Sequence, residues 1–361
     1  MKVLAVVGAR PNFVKVAPLL AEMRLYPELE PRLVHTGQHW DFAMSAAFFR
    51  DLELPAPDVN LNVGPGPAVL QTAEIMARLA PVVAAERPDL VLVVGDVTST
   101  LAGALVAAKT AVPLAHVEAG LRSFDRTMPE EINRILTDAV ADYCFTTEPS
   151  AEENLRREGI GPERIHPVGN VMIDTLFRYR ERAAASTILD ALGLEPRGYA
   201  VLTLHRPGNV DGAARLARSL EAIAPVRREV PVVFPVHPRT RASLDAVPPS
   251  ALAGLRVVEP LAYLDFVHLM ASAACVLTDS GGIQEETTAL GVPCLTLRPN
   301  TERPITVTQG TNRLVDTDPA RVAAAWAEIR EGRWPAGRLP ELWDGKAASR
   351  IVRILVDHGR R

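Results

Sequence analysis

Short runs of apolar residues alternate along this chain with longer stretches in which apolar positions recur every three or four residues. In the first half the short runs are Val3–Val7, Arg32–His35, Leu90–Val94, Pro113–Val117 and Tyr143–Thr146, and segments such as Val14–Leu25 and Val69–Glu86 carry the helical period between them. Runs that are apolar throughout predict strands buried on both faces. Their alternation with helices predicts βαβ units and a doubly wound parallel sheet. After the turn-rich Gly193-Leu194-Glu195-Pro196-Arg197-Gly198 a second series begins, with strands at Tyr199–Leu204, Val232–Val236, Leu255–Val258, Cys275–Thr278 and Cys294–Leu297. A chain of 361 residues is long for one core, so two α/β domains are expected.

The polar residues that follow each strand carry the candidate chemistry, because ligands of open α/β sheets collect at the carboxyl ends of the strands. The first strand runs into Gly8-Ala9-Arg10-Pro11-Asn12-Phe13-Val14-Lys15, where Arg10, Lys15 and a helix N-terminus outline an anion site. This stretch has neither the dinucleotide pattern G-x-G-x-x-G nor a Walker sequence. Taken alone, Lys15 reads first as a surface residue on a helix face. Thr36-Gly37-Gln38-His39 follows the second strand and Gly95-Asp96 the third. The next strand opens into His116-Val117-Glu118-Ala119-Gly120-Leu121-Arg122 and then Pro129-Glu130-Glu131-Ile132-Asn133-Arg134. Asp96 is either a helix N-cap or one of three carboxylates, with Glu118 and Glu130, brought together at neighbouring strand tips. Carboxylates so placed drive their pKa values apart and suit acid–base work.

Composition narrows the choice of ligand. With 48% hydrophobic residues, 23% charged residues and a formal net charge of -4, the chain is globular and not basic enough to suggest nucleic acid as its main partner. No signal peptide and no run of membrane-spanning length is read from the sequence, which points to a cytoplasmic protein that does not engage the membrane. Cys144, Cys275 and Cys294 lie far apart in apolar runs and read as core thiols rather than metal ligands.

In the second half the most informative stretch is Asp279-Ser280-Gly281-Gly282-Ile283-Gln284-Glu285-Glu286. Ser280, Gly281 and Gly282 lie between a buried strand and a helix, so their N–H groups and the helix dipole can receive a phosphate. Glu286, about one turn into the helix, is placed to accept hydrogen bonds from two ribose hydroxyls. Arg303, in Thr301-Glu302-Arg303-Pro304, adds a guanidinium suited to bidentate phosphate contact. His237 is either a further nucleotide contact or a strand-end histidine held by the backbone.

Taken together, these segments in this order resemble the non-hydrolysing UDP-N-acetylglucosamine 2-epimerases over nearly the whole chain. The resemblance implies two Rossmann-like domains of glycosyltransferase-B type with the active site in the cleft between them. The expected division is 1–170, with 346–361 returning to pack on it, and 171–345. The implied reaction interconverts UDP-N-acetylglucosamine and UDP-N-acetylmannosamine through loss of UDP, an enzyme-bound 2-acetamidoglucal and re-addition of UDP, without a metal or nicotinamide cofactor. Carried over by position, Asp96, Glu118 and Glu130 match the family's catalytic carboxylates and His205 a histidine near the leaving diphosphate, while Ser280, Gly281 and Glu286 match UDP contacts. Arg10, Lys15, His205 and Arg303 are the candidates to stabilise charge on the diphosphate. A homodimer is the family's habit.

Two departures stand out. Trp40-Asp41-Phe42-Ala43-Met44-Ser45 replaces a glutamine-bearing helix that many bacterial members use to bind a second, activating substrate molecule. Arg206-Pro207-Gly208-Asn209 lacks the Glu often found before the Asn. The alternatives are a 2-epimerase of a UDP-diacetamido-uronic acid, a hydrolysing relative, a glycosyltransferase of the same architecture and a sugar-nucleotide sensor.

Overall fold

The computed structural model describes residues 1–38, 49–236 and 238–359; His39, residues 40–45 and His237 lie outside them. The chain forms two compact units, Met1–Arg178 with Glu341–Arg361, and Tyr179–Pro340.

The first unit is built on seven parallel strands, β1 (Lys2–Val7), β2 (Glu30–His35), β3 (Val59–Asn60), β4 (Leu90–Val94), β5 (Leu114–Ala119), β6 (Tyr143–Thr146) and β7 (Ile165–Pro167). They lie in the order β3-β2-β1-β4-β5-β6-β7. The order reverses between β1 and β4, and such a switch point opens a crevice at the carboxyl edge. All five residues of β4 are buried, as its unbroken apolar run requires. β3 and β7 were not legible as strands because two- and three-residue edge strands carry no apolar run.

Helices α1 (Arg10–Met23), α2 (Ala68–Glu86), α3 (Thr98–Lys109) and α4 (Pro129–Val140) cover this sheet. α1 starts four residues before the apolar period does, because Pro11 in its first turn has its backbone pre-set for a helix. α2 is long and apolar enough to cross a membrane by length and composition, yet its Ile75, Leu79 and Val83 belong to the core of this unit. α4 inverts the usual rule, since its buried face is polar: Glu131, Arg134, Thr137 and Asp138.

Helix α5 (Val171–Ala184) runs from the first unit into the second. There six parallel strands, β8 (Ala200–Thr203), β9 (Val232–Pro235), β10 (Leu255–Val258), β11 (Cys275–Thr278), β12 (Cys294–Thr296) and β13 (Asn312–Leu314), lie in the order β10-β9-β8-β11-β12-β13. The switch point falls between β8 and β11. α6 (Tyr263–Ala271) and α7 (Gly281–Leu290) are the helices that bear on the site. The chain then returns to the first unit as α8 (Ala347–Gly359), which packs on α1. Asp174 of α5 accepts the first-turn amides Ala347 N–H at 3.1 Å and Ala348 N–H at 2.7 Å, fixing where α8 begins.

Candidate active site

In the first unit the candidate residues gather at the carboxyl ends of β1, β4 and β5. Asn12 accepts the N–H groups of Gly8 (3.1 Å) and Ala9 (3.2 Å) on its side-chain oxygen and donates to Val94 O at 2.9 Å. Those two amides are therefore occupied, and what the loop presents is half-buried Arg10 at the start of α1. Lys15 is not a surface residue. It is 4% exposed and forms an ion pair with Glu118, which is equally buried. Gly95 makes this possible: its φ is +68°, and a Cβ there would lie 2.9 Å from Lys15 Nζ.

Asp96, one residue on, is bound by Arg134 Nη1 through its Oδ2 and accepts Asn133 Nδ2 on its carbonyl at 2.8 Å. Arg134 is itself buried and also donates to Glu131 Oε2 at 2.7 Å. Of the adjacent acids at the start of α4, Glu131 is the structural one. It accepts the amides of Ser123 and Phe124 at 2.9 Å each, so it shapes the loop after β5. Burial alone would raise its carboxyl, but Arg134 and the Ser123 bonds outweigh that and hold it below the ordinary carboxylate value. Glu130 is half-buried beside it.

Beneath these groups lies a second layer, centred on Asp138, a residue that sequence reading did not single out. Asp138 is fully buried and meets His116 Nδ1 at 2.6 Å, Arg122 Nη2 at 2.7 Å and the Gly120 amide at 3.0 Å. Burial pushes its carboxyl up, while His116 and Arg122 pull it further down, and the net shift is downward. The available signal was the spacing Glu131, Arg134, Asp138, a charged stripe at i, i+3 and i+7 on a helix.

In the second unit His205 follows β8 and Asp279 follows β11, neighbouring strands at the switch point. Asp279 accepts the amide of Arg206 at 2.9 Å, the amide of His205 at 3.1 Å, Asn209 Nδ2 at 3.0 Å and His205 Nδ1 at 2.9 Å. Desolvation opposes its charge, but His205, Asn209 and the amides hold it below the ordinary value. An ionised Asp279 fixes the proton on Nδ1 and leaves Nε2 as the other nitrogen of a half-exposed ring.

Ser280 is the N-cap of α7 and makes no side-chain cap bond, so it does not occupy the first-turn amides of Gly281 and Gly282. Arg303 lies against this turn, where a Cβ on Gly281 would come within 2.3 Å of its Nη1. Its guanidinium is already engaged by Glu302 Oε1 at 2.6 Å and Glu285 Oε1 at 2.8 Å, and Glu302 also holds Arg298 at 2.7 Å and Arg206 at 3.5 Å. Arg303, expected to pair with a phosphate, thus lies in a cluster that among the described residues includes Arg206, Arg298, Glu285 and Glu302. Glu286 is buried on α7 and accepts Tyr263 OH of α6 at 3.0 Å; burial pushes its carboxyl up to about 7. His237 is not among the described residues. Among the described residues no group of three or more His, Cys, Asp or Glu is arranged to hold a metal ion.

Residues 21–356 match the family model described as UDP-N-acetylglucosamine 2-epimerase. The chain is 40% identical to the UDP-N-acetylglucosamine 2-epimerase of Methanocaldococcus jannaschii over 98% of this chain and 99% of that one. It is 39% identical to the UDP-2,3-diacetamido-2,3-dideoxy-D-glucuronate 2-epimerase of Pseudomonas aeruginosa, again over 98% and 99%. The crystal structure of the M. jannaschii enzyme in complex with UDP-GlcNAc and UDP superposes with a TM-score of 0.92 at 38% identity, covering 99% of this chain and 100% of that one.

Proposed function

The chain belongs to the non-hydrolysing UDP-N-acetylglucosamine 2-epimerase family, and from that premise we propose how its residues divide the work. The enzyme interconverts UDP-N-acetylglucosamine and UDP-N-acetylmannosamine. A carboxylate takes the proton from C2 as the C1–O bond breaks, its electron pair leaving with the diphosphate, to give 2-acetamidoglucal and UDP. In the return step the UDP oxygen rejoins C1 while a proton reaches C2 from the opposite face. The net change is inversion at C2 with no change of oxidation state.

Asp96, Glu118 and Glu130 are assigned to proton transfer. The observation that carries this is the placing of Asp96 and Glu118 at the ends of neighbouring strands β4 and β5, each against a buried cation, Arg134 and Lys15. Such pairing fixes the orientation of both carboxylates, which transfer from a weakly acidic carbon requires. Lys15 is read as the counter-ion of Glu118 as well as a substrate contact. His205, oriented by Asp279, presents Nε2 to the leaving diphosphate. Arg10, the amides of Gly281 and Gly282, Ser280 and Arg303 receive the phosphates, with His237 as a further nucleotide contact. Glu286 accepts the ribose hydroxyls.

The protein acts in the cytoplasm, where its three buried cysteines stay as thiols. It works as a homodimer. Support for that comes from Val69 and Leu70 of α2, 80% and 65% exposed, and Leu136 of α4, 43% exposed, on helices that both pack against α3.

The deciding experiment is proton NMR of the enzyme with UDP-N-acetylglucosamine in deuterated water. UDP-N-acetylmannosamine carrying deuterium at C2 is expected, with little free sugar. Free N-acetylmannosamine would mark hydrolysis instead. A second reading, a diacetamido-uronic acid substrate, rests on the near-equal identity to the P. aeruginosa relative; turnover of that compound alone would favour it.

A further inference from the structure

We propose that Asp138 is a positioning residue that sets the geometry of Glu118 through His116 and Gly120, an inference that rests on Glu118 working in proton transfer. Glu118 has a φ of +74°, a left-handed conformation that a residue with a side chain keeps only where its surroundings impose it. The strand register slips at the same point. Val117 pairs with Phe145 and Ala119 with Thr146, so Glu118 is the extra residue of a bulge and its side chain is re-aimed.

What imposes this conformation lies under the strand. The Asp138 carboxylate accepts His116 Nδ1–H at 2.6 Å on one oxygen and the Gly120 amide at 3.0 Å on the other. It therefore fastens the chain two residues before Glu118 and two residues after it. Arg122, bound to Asp138 and also to both carboxylate oxygens of Glu158 at 2.8 and 2.6 Å, anchors the next turn. The link extends sideways as well. His116 Nε2 lies 2.8 Å from Gly95 O, the residue before Asp96, so the ring bridges Asp138 on one side and the end of β4 on the other. One buried side chain thus ties the strand end that carries Glu118 to the strand end that carries Asp96. A buried carboxylate tied to a buried arginine is a poor way to gain stability, and apolar residues would fill the space at less cost. What the arrangement supplies is a fixed spacing between two working carboxylates.

The test is Asp138→Asn, which keeps the shape but cannot accept from three donors at once. Turnover of UDP-N-acetylglucosamine should fall on the order of 10²-fold with KM and UDP affinity unchanged, measured at a temperature where the variant is fully folded. In the wild type the His116 Nδ1–H against Asp138 should give a slowly exchanging, downfield proton signal that moves upfield in the variant. If the variant does not fold, His116→Gln, which leaves Asp138 bonded to Gly120 and Arg122, should show the same selective loss of kcat. Unchanged kcat overturns the proposal. So does a loss of kcat that disappears at temperatures where the variant is fully folded, failure of both variants to fold, or absence of the Nδ1–H signal from the wild type. A wild-type enzyme without turnover would fail at the epimerase reading itself and take this inference with it.

Discussion

His205 and Asp279 face each other across the point where the strand order of the second sheet reverses, with the histidine Nδ1 2.9 Å from a carboxylate that is fully buried. Asp279 also accepts two backbone amides from the loop that carries His205, so it holds both the ring and the segment it stands on. Asp279→Asn should free the ring to take either tautomer. Epimerisation is expected to slow on the order of 10²-fold, within the range that positioned acid–base groups contribute. Nitrogen NMR of His205 reads the tautomer and steady-state kinetics the rate; a variant with mixed tautomers and full activity would remove His205 from the chemistry.

Asp96→Asn and Glu118→Gln should each reduce deuterium incorporation at C2 by roughly 10²- to 10⁴-fold. UDP affinity should stay close to that of the wild type, because the assigned UDP contacts apart from Arg10 and Lys15 lie in the second unit. Isothermal titration with UDP checks the second half of this statement. A large loss of UDP binding in a folded variant would move these carboxylates from chemistry to binding.

Why these residues were legible and their supports were not follows from where each sits. Asp96, Glu118, His205 and Ser280 come within two residues of the end of a mostly apolar run, so the sequence alone puts them at strand ends. Glu130 and Glu131 are neighbours in one motif, and no pattern says which one turns inward to hold Ser123 and Phe124. Asp138 was missed because a charged position on a helix is ordinarily read as solvated, whereas α4 buries its charged stripe. For Lys15 and Arg303 the sequence shows only the cation. Their carboxylate partners, Glu118 and the pair Glu285 and Glu302, come from other elements or from an adjacent residue, and only the fold brings them into contact. The edge strands β3, β7 and β13 were silent for a simpler reason: each is too short to show a period.

The exposed apolar residues of α2 and α4 give a prediction about assembly. Sedimentation of the wild type should report a dimer, and the triple variant Val69→Glu, Leu70→Glu, Leu136→Glu should sediment as a folded monomer, since these side chains face outward from the unit's own core. A wild-type monomer at all concentrations, or a triple variant that remains dimeric, would rule this face out.

Glu286 makes substrate binding and stability depend on pH in opposite directions. Burial raises its carboxyl from an ordinary 4.5 to about 7, while Tyr263 donates to one of its oxygens. As an acceptor for two ribose hydroxyls the ionised form is the better partner, so the dissociation constant of UDP-N-acetylglucosamine should fall as pH rises from about 6 to about 8. Its diphosphate diester keeps its charge over that range, and the slope therefore reports the protein. For the free enzyme the sign reverses. Between 4.5 and about 7 the folded state holds the Glu286 proton more tightly than the unfolded chain does, so its contribution to stability is fully present below 4.5 and is lost as pH rises through about 7. The size is on the order of 3 kcal/mol. Asp174, pushed up to about 6 by burial, adds a slope of the same sign. The difference between wild type and Glu286→Gln isolates the first group: titrations and urea unfolding of the variant across this range should lose the binding slope and part of the stability slope. A variant whose binding still strengthens with pH would separate Glu286 from the ribose.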